Sequence, residues 1–245
     1  MPERPMLAFA ASVVTMGVLA LSATSCSNEV RSCELETRAI AMRVTVTDKE
    51  GGVEIELIVE VGSDEEEAGT PLELCPDEDH LTVNGIPAKL TRALGQLYYH
   101  VEFPEPVSEY RIDLTRDDFD DARITVLMPP PMDILAPTEG MMHKRSDPLP
   151  VAWQPTWPDH ELDLAIEDQI GSDCITGLGF TMTVPDNGMF EVPGGAIFDN
   201  NPSQTSCAVS AVLTRDALGQ YPPELHPSGS VQGFVKRRRG FVSQE

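Results

Sequence analysis

Basic residues are scarce in this chain: 17 Lys and Arg stand against 40 Asp and Glu, a formal net charge of -23. A field of that sign repels phosphate backbones and anionic headgroups, which argues against nucleic acid as a partner and against adhesion to membranes through basic patches. Partners should be cationic, neutral or bridged by metal. Motifs that carry chemistry are also missing. There is no CxxC, no HExxH, no GxSxG and no D-x-D-x-D-G loop closing on glutamate, so a zinc site, a dithiol redox pair, a hydrolase elbow and an EF-hand loop lack support. The five histidines, His80, His100, His143, His160 and His226, show no paired spacing. The glycines of PGGAIF precede no recognisable helix, so no phosphate cradle is expected. Nor does any stretch of ten or more residues repeat its apolar positions every 3.6 residues, which excludes a helical domain.

What the chain does have begins with MLAFAASVVTMGVLALSATS, residues 6–25, an uncharged apolar run with Arg4 and the amino terminus supplying positive charge ahead of it. That is the layout of a signal peptide over residues 1–25. Glu3 and Arg4 leave together on cleavage, so the shortened chain keeps its charge of -23. The run ends in ATSC, residues 23–26, which resembles a bacterial lipobox, although Ala23 stands where leucine is usual and Leu21 lies two positions further back. The resemblance implies that Cys26 carries a diacylglyceryl group and that its new amino terminus is acylated, for example with palmitate. Ser27 is compatible with outer-membrane delivery. Each buried CH₂ adds about 0.8 kcal/mol, and stable anchoring takes at least two chains, which this modification supplies. Two other readings stand beside it. The uncharged span 5–28 exceeds the roughly 20 residues that cross a bilayer, and an ordinary secretory signal would leave Cys26 an incidental thiol.

Four cysteines remain: Cys33, Cys75, Cys174 and Cys207. Export would pair them. Of the three connectivities, Cys33 with Cys75 and Cys174 with Cys207 is favoured because each then closes a loop inside one half of the chain. Loops of 42 and 33 residues would each contribute roughly 4 kcal/mol in the chain-entropy picture.

Period-two alternation dominates the rest. Ile55, Leu57, Val59 and Val61 alternate with Glu54, Glu56 and Glu60; Leu97, Tyr99 and Val101 alternate with Tyr98 and His100; Tyr110, Ile112 and Leu114 alternate with Glu109, Arg111 and Asp113. Such patterns predict half-buried strands. DKEGG, VNGIP, ALGQ and FPEP predict the turns between them. MPPPMDILAPTEG, residues 128–140, cannot sustain a ladder and predicts a stiff hinge. Beyond it, Leu162, Leu164 and Ile166 face one side of another strand, PDNG predicts a type I′ hairpin turn between LGFTMTV and MFEVP, and CAVSAVLTR and GSVQGFVKRRRGF predict the last strands. The expected fold is therefore all-β: two small β-sandwich domains, residues 37–130 and 131–245, after a lipidated tether at 26–36. PLPVAWQP resembles the start of a fibronectin type III or related immunoglobulin-like domain from about Ile134 onward, and the whole is similar to bacterial lipoproteins with tandem immunoglobulin-like domains.

That fold hosts adhesion, scaffolding and sugar binding alike; with no catalytic motif in view, the expectation is an envelope lipoprotein, not an enzyme, that binds or scaffolds an envelope protein or glycan and needs no cofactor. Two alternatives compete with it. Acidic clusters at Asp64 to Glu67, Asp77 to His80 and Asp117 to Asp121 could serve a calcium-dependent adhesion or carbohydrate-binding module, and loop carboxylates could serve an envelope hydrolase; the plain reading is solvated loops. Trp153, Trp157, Tyr98 and Tyr99 could form an aromatic platform for glycans, but Trp153 reads as core and Trp157, between prolines, as exposed. Lys236, Arg237, Arg238 and Arg239 either dock an anionic partner, dock an acidic loop of the first domain, or protect a strand edge with charge.

Overall fold

The computed structural model describes residues 30–63, 69–93, 96–169, 172, 175, 179–197 and 205–245. The signal segment, Cys26, Cys174 and the cluster Asp64 to Glu67 lie outside the described residues. The first part of the chain forms β1 (Val30–Arg31), β2 (Ile40–Lys49), β3 (Gly52–Val61), β4 (Leu72–Glu73), β5 (Asp79–Val83), β6 (Ile86–Pro87), β7 (Lys89–Ala93), β8 (Gln96–Phe103), β9 (Glu109–Arg116) and β10 (Ala122–Leu127). The second forms β11 (Asp133–Ala136), β12 (Met141–Lys144), β13 (Leu149–Gln154), β14 (Glu161–Asp168), β15 (Phe180–Pro185), β16 (Met189–Val192), β17 (Ser206–Leu218) and β18 (Ser230–Gln244). Two short 3₁₀ turns, Ser32–Glu34 and Thr37–Ala39, accompany them.

Alternation places one face of each strand inward. Met42, Val44 and Val46 of β2, Ile55, Leu57 and Val59 of β3, and Tyr110, Ile112 and Leu114 of β9 meet in a first core. Trp153, Leu162, Leu164, Ile166, Val209 and Leu213 meet in a second. Each fully buried aliphatic side chain of this kind contributes about 1.5–3 kcal/mol relative to exposure. In the first sandwich the sheet β10-β9-β5-β6 covers β2, β3, β8 and β7; in the second, β11-β13-β16 covers β15, β14, β17 and part of β18.

The two sandwiches share a sheet. β17 and β18 pair antiparallel from Ser206↔Gln244 to Leu218↔Gln232, a ribbon that pairs with β14 of the second sandwich and β2 of the first. On the other edge of β18, Ser230 to Val235 pair parallel with β2, and Phe241 to Gln244 pair parallel with β12. The C-terminal segment therefore returns to the first sandwich. Leu225 and Val231, which a division at residue 130 assigns to the second, pack in the first core. Tyr221 accepts a hydrogen bond from Met42 N at 3.1 Å and donates to His226 O at 2.9 Å.

Two local expectations change. The proline segment is no free hinge: β11 already belongs to the second sandwich, and Met132 and Ile134 lie in its core. Nor does PDNG close a hairpin. β15 pairs with β14 and β16 with β13, so the turn carries the chain from one sheet to the facing one. Gly188 takes φ 95° while Asn187 does not adopt positive φ, whereas a type I′ turn needs both. The other Asn-Gly does make that hairpin: Asn84 (φ 48°) and Gly85 (φ 80°) link β5 to β6 through the pair Val83↔Ile86.

Candidate functional site

The segment that enters the first sandwich is fastened before β2 begins. Cys33 is disulfide-bonded to Cys75, with Cα atoms 5.7 Å apart. Cys207 is disulfide-bonded too, while Cys174 lies outside the described residues. Beside the first disulfide, Arg116 is fully buried against Asp79, Nε to Oδ1 2.8 Å. Its guanidinium also donates to Ser32 O at 2.7 Å and Leu35 O at 2.9 Å, and it lies 4.4 Å from the centre of the Phe119 ring. Asp79 accepts further hydrogen bonds from Ser32 Oγ and Cys75 N. One ion pair thus holds the entering chain and the cross-linked loop together.

The second sandwich holds its entering chain by the same chemistry. Arg215, fully buried, pairs with Asp186 through Nε at 2.6 Å and Nη2 at 3.0 Å. It also donates to Pro130 O at 2.9 Å, Pro131 O at 3.2 Å and Pro155 O at 2.5 Å. Trp153 Nε1 donates to Asp186 Oδ1 at 2.7 Å. Bidentate geometry and filled acceptor sites are what let a buried charge pair persist. The composition does not reveal these residues, but the alternation does. Tyr110, Ile112 and Leu114 continue in phase to Arg116, and Val209, Ala211 and Leu213 continue to Arg215, so each arginine occupies an inward position that requires an acid.

The basic run near the C-terminus turns inward on the molecule. Arg237 joins the sandwiches through Asp48 at the end of β2, Nη2 to Oδ2 2.9 Å, with Nη1 on Asp48 O at 3.1 Å. Arg238 pairs with Glu167 at 2.5 Å, Lys236 approaches the same carboxylate at 3.9 Å, and Arg239 donates to Ile134 O at 3.2 Å. Two of the expected roles are displayed: docking within the chain, on strand residues and not on an acidic loop, and charge on a strand edge, since β18 pairs with β2 up to Val235 and with β12 from Phe241.

The acidic clusters divide. Asp79 is buried in its ion pair, whereas Asp117, Asp118, Asp120 and Asp121 stay exposed on their loop, where Asp121 Oδ1 accepts from Arg116 N at 2.9 Å. Among the described residues no group of three or more His, Cys, Asp and Glu side chains converges on a metal-sized space. The four candidate aromatics do not share a platform either. Trp153 and Tyr99 are buried in different cores, Tyr98 is half-buried on β8, and Trp157 is half-buried after β13. Burial pushes the Tyr99 hydroxyl up to about 12, and it raises those of Tyr110 and Tyr221, all three accepting a backbone N–H.

Where the sandwiches meet, an open cleft of about 1210 Å³ lies between the end of β10, the loop from β13 to β14, the turn after β15 and the end of β17. Leu127 and Leu218 stand in it, 48% and 77% exposed. Trp157 and His160 stack on its wall with ring centres 3.7 Å apart and planes 10° from parallel. Exposed Asp159, Glu161 and Asp216 supply charge. The backbone beneath is braced, since Thr125 and Gln220 exchange hydrogen bonds of 2.8 and 3.4 Å. A concave apolar surface with a few polar groups is the usual form of a binding site. A smaller cavity of about 410 Å³ opens in the first sandwich near Leu74, Leu81, Leu90 and Tyr99.

No protein-family model matches the chain. No curated protein matches its sequence. Among solved structures it is similar to a chimeric titin Z1Z2 functionalized with a KLER peptide from decorin, at 13% identity over 86% of this chain and 100% of that one, TM-score 0.22. It is also similar to DIP-gamma IG1+IG2, at 8% identity over 84% and 98%, TM-score 0.20. A three-Ig structure of titin domains I67–I69 in an E-to-A variant gives 8% identity over 80% and 62%, TM-score 0.20. Likeness at these TM-scores carries no argument, and the all-β sandwich architecture rests on the strands, pairings and cores described above.

Proposed function

We propose that this chain is an exported, lipid-anchored, non-enzymatic binding module of the bacterial cell envelope, held by Cys26 and presenting its two sandwiches to an envelope partner. The observation that carries the proposal is the Cys33–Cys75 disulfide, because such cross-links persist in oxidising compartments outside the cytosol and this one begins seven residues after Cys26. The junction cleft supports the binding role. No helix among the described residues is long and apolar enough to cross a membrane, and the run 5–28 lies outside them.

The intact mass of protein extracted from membranes with detergent, taken with and without reductant, tests this reading. Cleavage before Cys26 with added acyl chains, and a gain of two hydrogens for each disulfide reduced, is the expected result. An unmodified mass, or free thiols in the native protein, would overturn the envelope assignment.

A further inference from the structure

We infer that the cleft between the sandwiches is a docking site for a cationic peptide segment in which lysine or arginine alternates with apolar residues. The inference rests on the binding-module reading and gives it a location and a ligand chemistry. Three features of the cleft converge on it.

The first is apolar surface without a covering. Leu218, at the end of β17, is 77% exposed, and Leu127, at the end of β10, is 48% exposed. A single exposed leucine is ordinary. These two line one concavity with the Trp157 and His160 stack. The backbone link between Thr125 and Gln220, each two residues away, holds them on a fixed floor.

The second is the sign of the charge. Asp159, Glu161 and Asp216 line the cleft, and its lining contains no lysine or arginine. Among the described residues these three carboxylates form no ion pair, whereas Asp48, Glu60, Asp113 and Glu167 all do. Arg215, next to Asp216 in sequence, is fully buried and engaged by Asp186. The cleft therefore keeps its negative charge in a chain of net charge -23. An anionic ligand would be repelled.

The third is the form of the surface. Lysine and arginine have apolar stems and charged heads, which match leucines on the floor and carboxylates on the rim. A sugar ring would need an open aromatic face, and His160 covers one face of Trp157 at 3.7 Å. Because Leu127 belongs to the first sandwich and Trp157 to the second, the ligand would touch both, and the Arg237 to Asp48 pair would fix the width between them.

The test uses the full chain in zwitterionic micelles and a fluorescein-labelled octapeptide of alternating Lys and Leu, read as polarisation above that of empty micelles. A Glu and Leu octapeptide and a five-residue chitin oligosaccharide serve as rivals. The cationic peptide should bind and the anionic peptide should not. Glu161→Gln combined with Asp216→Asn should weaken binding about 5- to 10-fold, as expected for losing two exposed charge contacts. Leu218→Ser should weaken it about 5-fold through lost apolar burial. Glu105→Gln with Glu109→Gln, exposed carboxylates elsewhere on the first sandwich, should leave it unchanged. All substituted positions are exposed, and unchanged thermal unfolding would confirm that each variant folds. Equal weakening by the two carboxylate pairs, no effect of the cleft variants, no binding of the cationic peptide, or binding of the oligosaccharide alone would each overturn the inference. An acylated mass alongside any of those outcomes would leave the envelope reading standing, so the two can fail separately.

Discussion

Both sandwiches fasten the chain that enters them with a buried arginine and aspartate, yet the two fastenings differ in what backs them. In the first, Arg116 and Asp79 grip Ser32 and Leu35 beside the Cys33–Cys75 disulfide. In the second, Arg215 and Asp186 grip the carbonyls of Pro130, Pro131 and Pro155, and Trp153 supplies the remaining donor. The first fastening is thus reinforced by a covalent bond and the second by packing and prolines. The aromatic complement differs as well. All four tyrosines lie on the first sandwich and both tryptophans on the second, so tyrosine absorbance and tryptophan fluorescence report the two regions separately.

The largest effect should come from Arg215→Met, which leaves Asp186 charged and buried; a loss of about 3–5 kcal/mol is expected from the tryptophan-detected denaturant midpoint. Arg116→Met should fall at the low end of that range, about 3 kcal/mol, because the disulfide still holds the entering chain. Equal losses would break the comparison. Next in size is Cys33→Ser with Cys75→Ser, for which release of the cross-linked loop should cost about 2–4 kcal/mol. If the disulfide is what backs Arg116, adding Arg116→Met to that double variant should then cost more than it does in the oxidised protein. Arg237→Met removes a partly exposed contact between the regions, and a loss of about 1–2 kcal/mol is expected, with tyrosine and tryptophan transitions, which should coincide in the parent chain, moving apart.

The smallest effect at neutral pH is the most selective between the regions. Burial raises the hydroxyls of Tyr99, Tyr110 and Tyr221 in the fold, that of Tyr99 from 10.0 to about 12. A raised value means that the stability contributed by the neutral hydroxyl is whole below about pH 10 and is lost as pH climbs toward 12. Alkali should therefore expose the first sandwich before the second, with a slope of at most about 1.4 kcal/mol per pH unit for each tyrosine. Tyr99→Phe should flatten that slope, and an unchanged alkaline titration curve would count against the assignment.

Strand existence was legible in residues such as Ile55, Leu57 and Val59, because a period of two is a local property of the pleat. The buried acids were harder to read. Asp79 sits in an acidic stretch and Asp186 in a turn stretch, and each is buried because an arginine distant in sequence arrives beside it. The inward phase of Arg116 and Arg215 was the available signal. Two Asn-Gly pairs read alike, yet Asn84 and Gly85 close a hairpin while Asn187 and Gly188 follow an aspartate held by Arg215 and Trp153, which turns the chain into the facing sheet. The cleft had no local signature at all. Leu127, Trp157, and Asp216 with Leu218 come from three places along the chain.

By itself the sequence determined the all-β character, the extended phase of most strands, the Asn84 and Gly85 turn and the sign of the protein's field. These follow from neighbours one to four residues apart and from simple charge counting. Only the tertiary structure decided that β18 would bind β2 and join two sandwiches through one ribbon, that four cations would be answered within the chain, and that three carboxylates and two leucines would be left facing a common space. Those outcomes depend on which distant segments meet, and pairing across more than a hundred residues is settled by the total burial and polar satisfaction of the assembled molecule rather than by any local pattern.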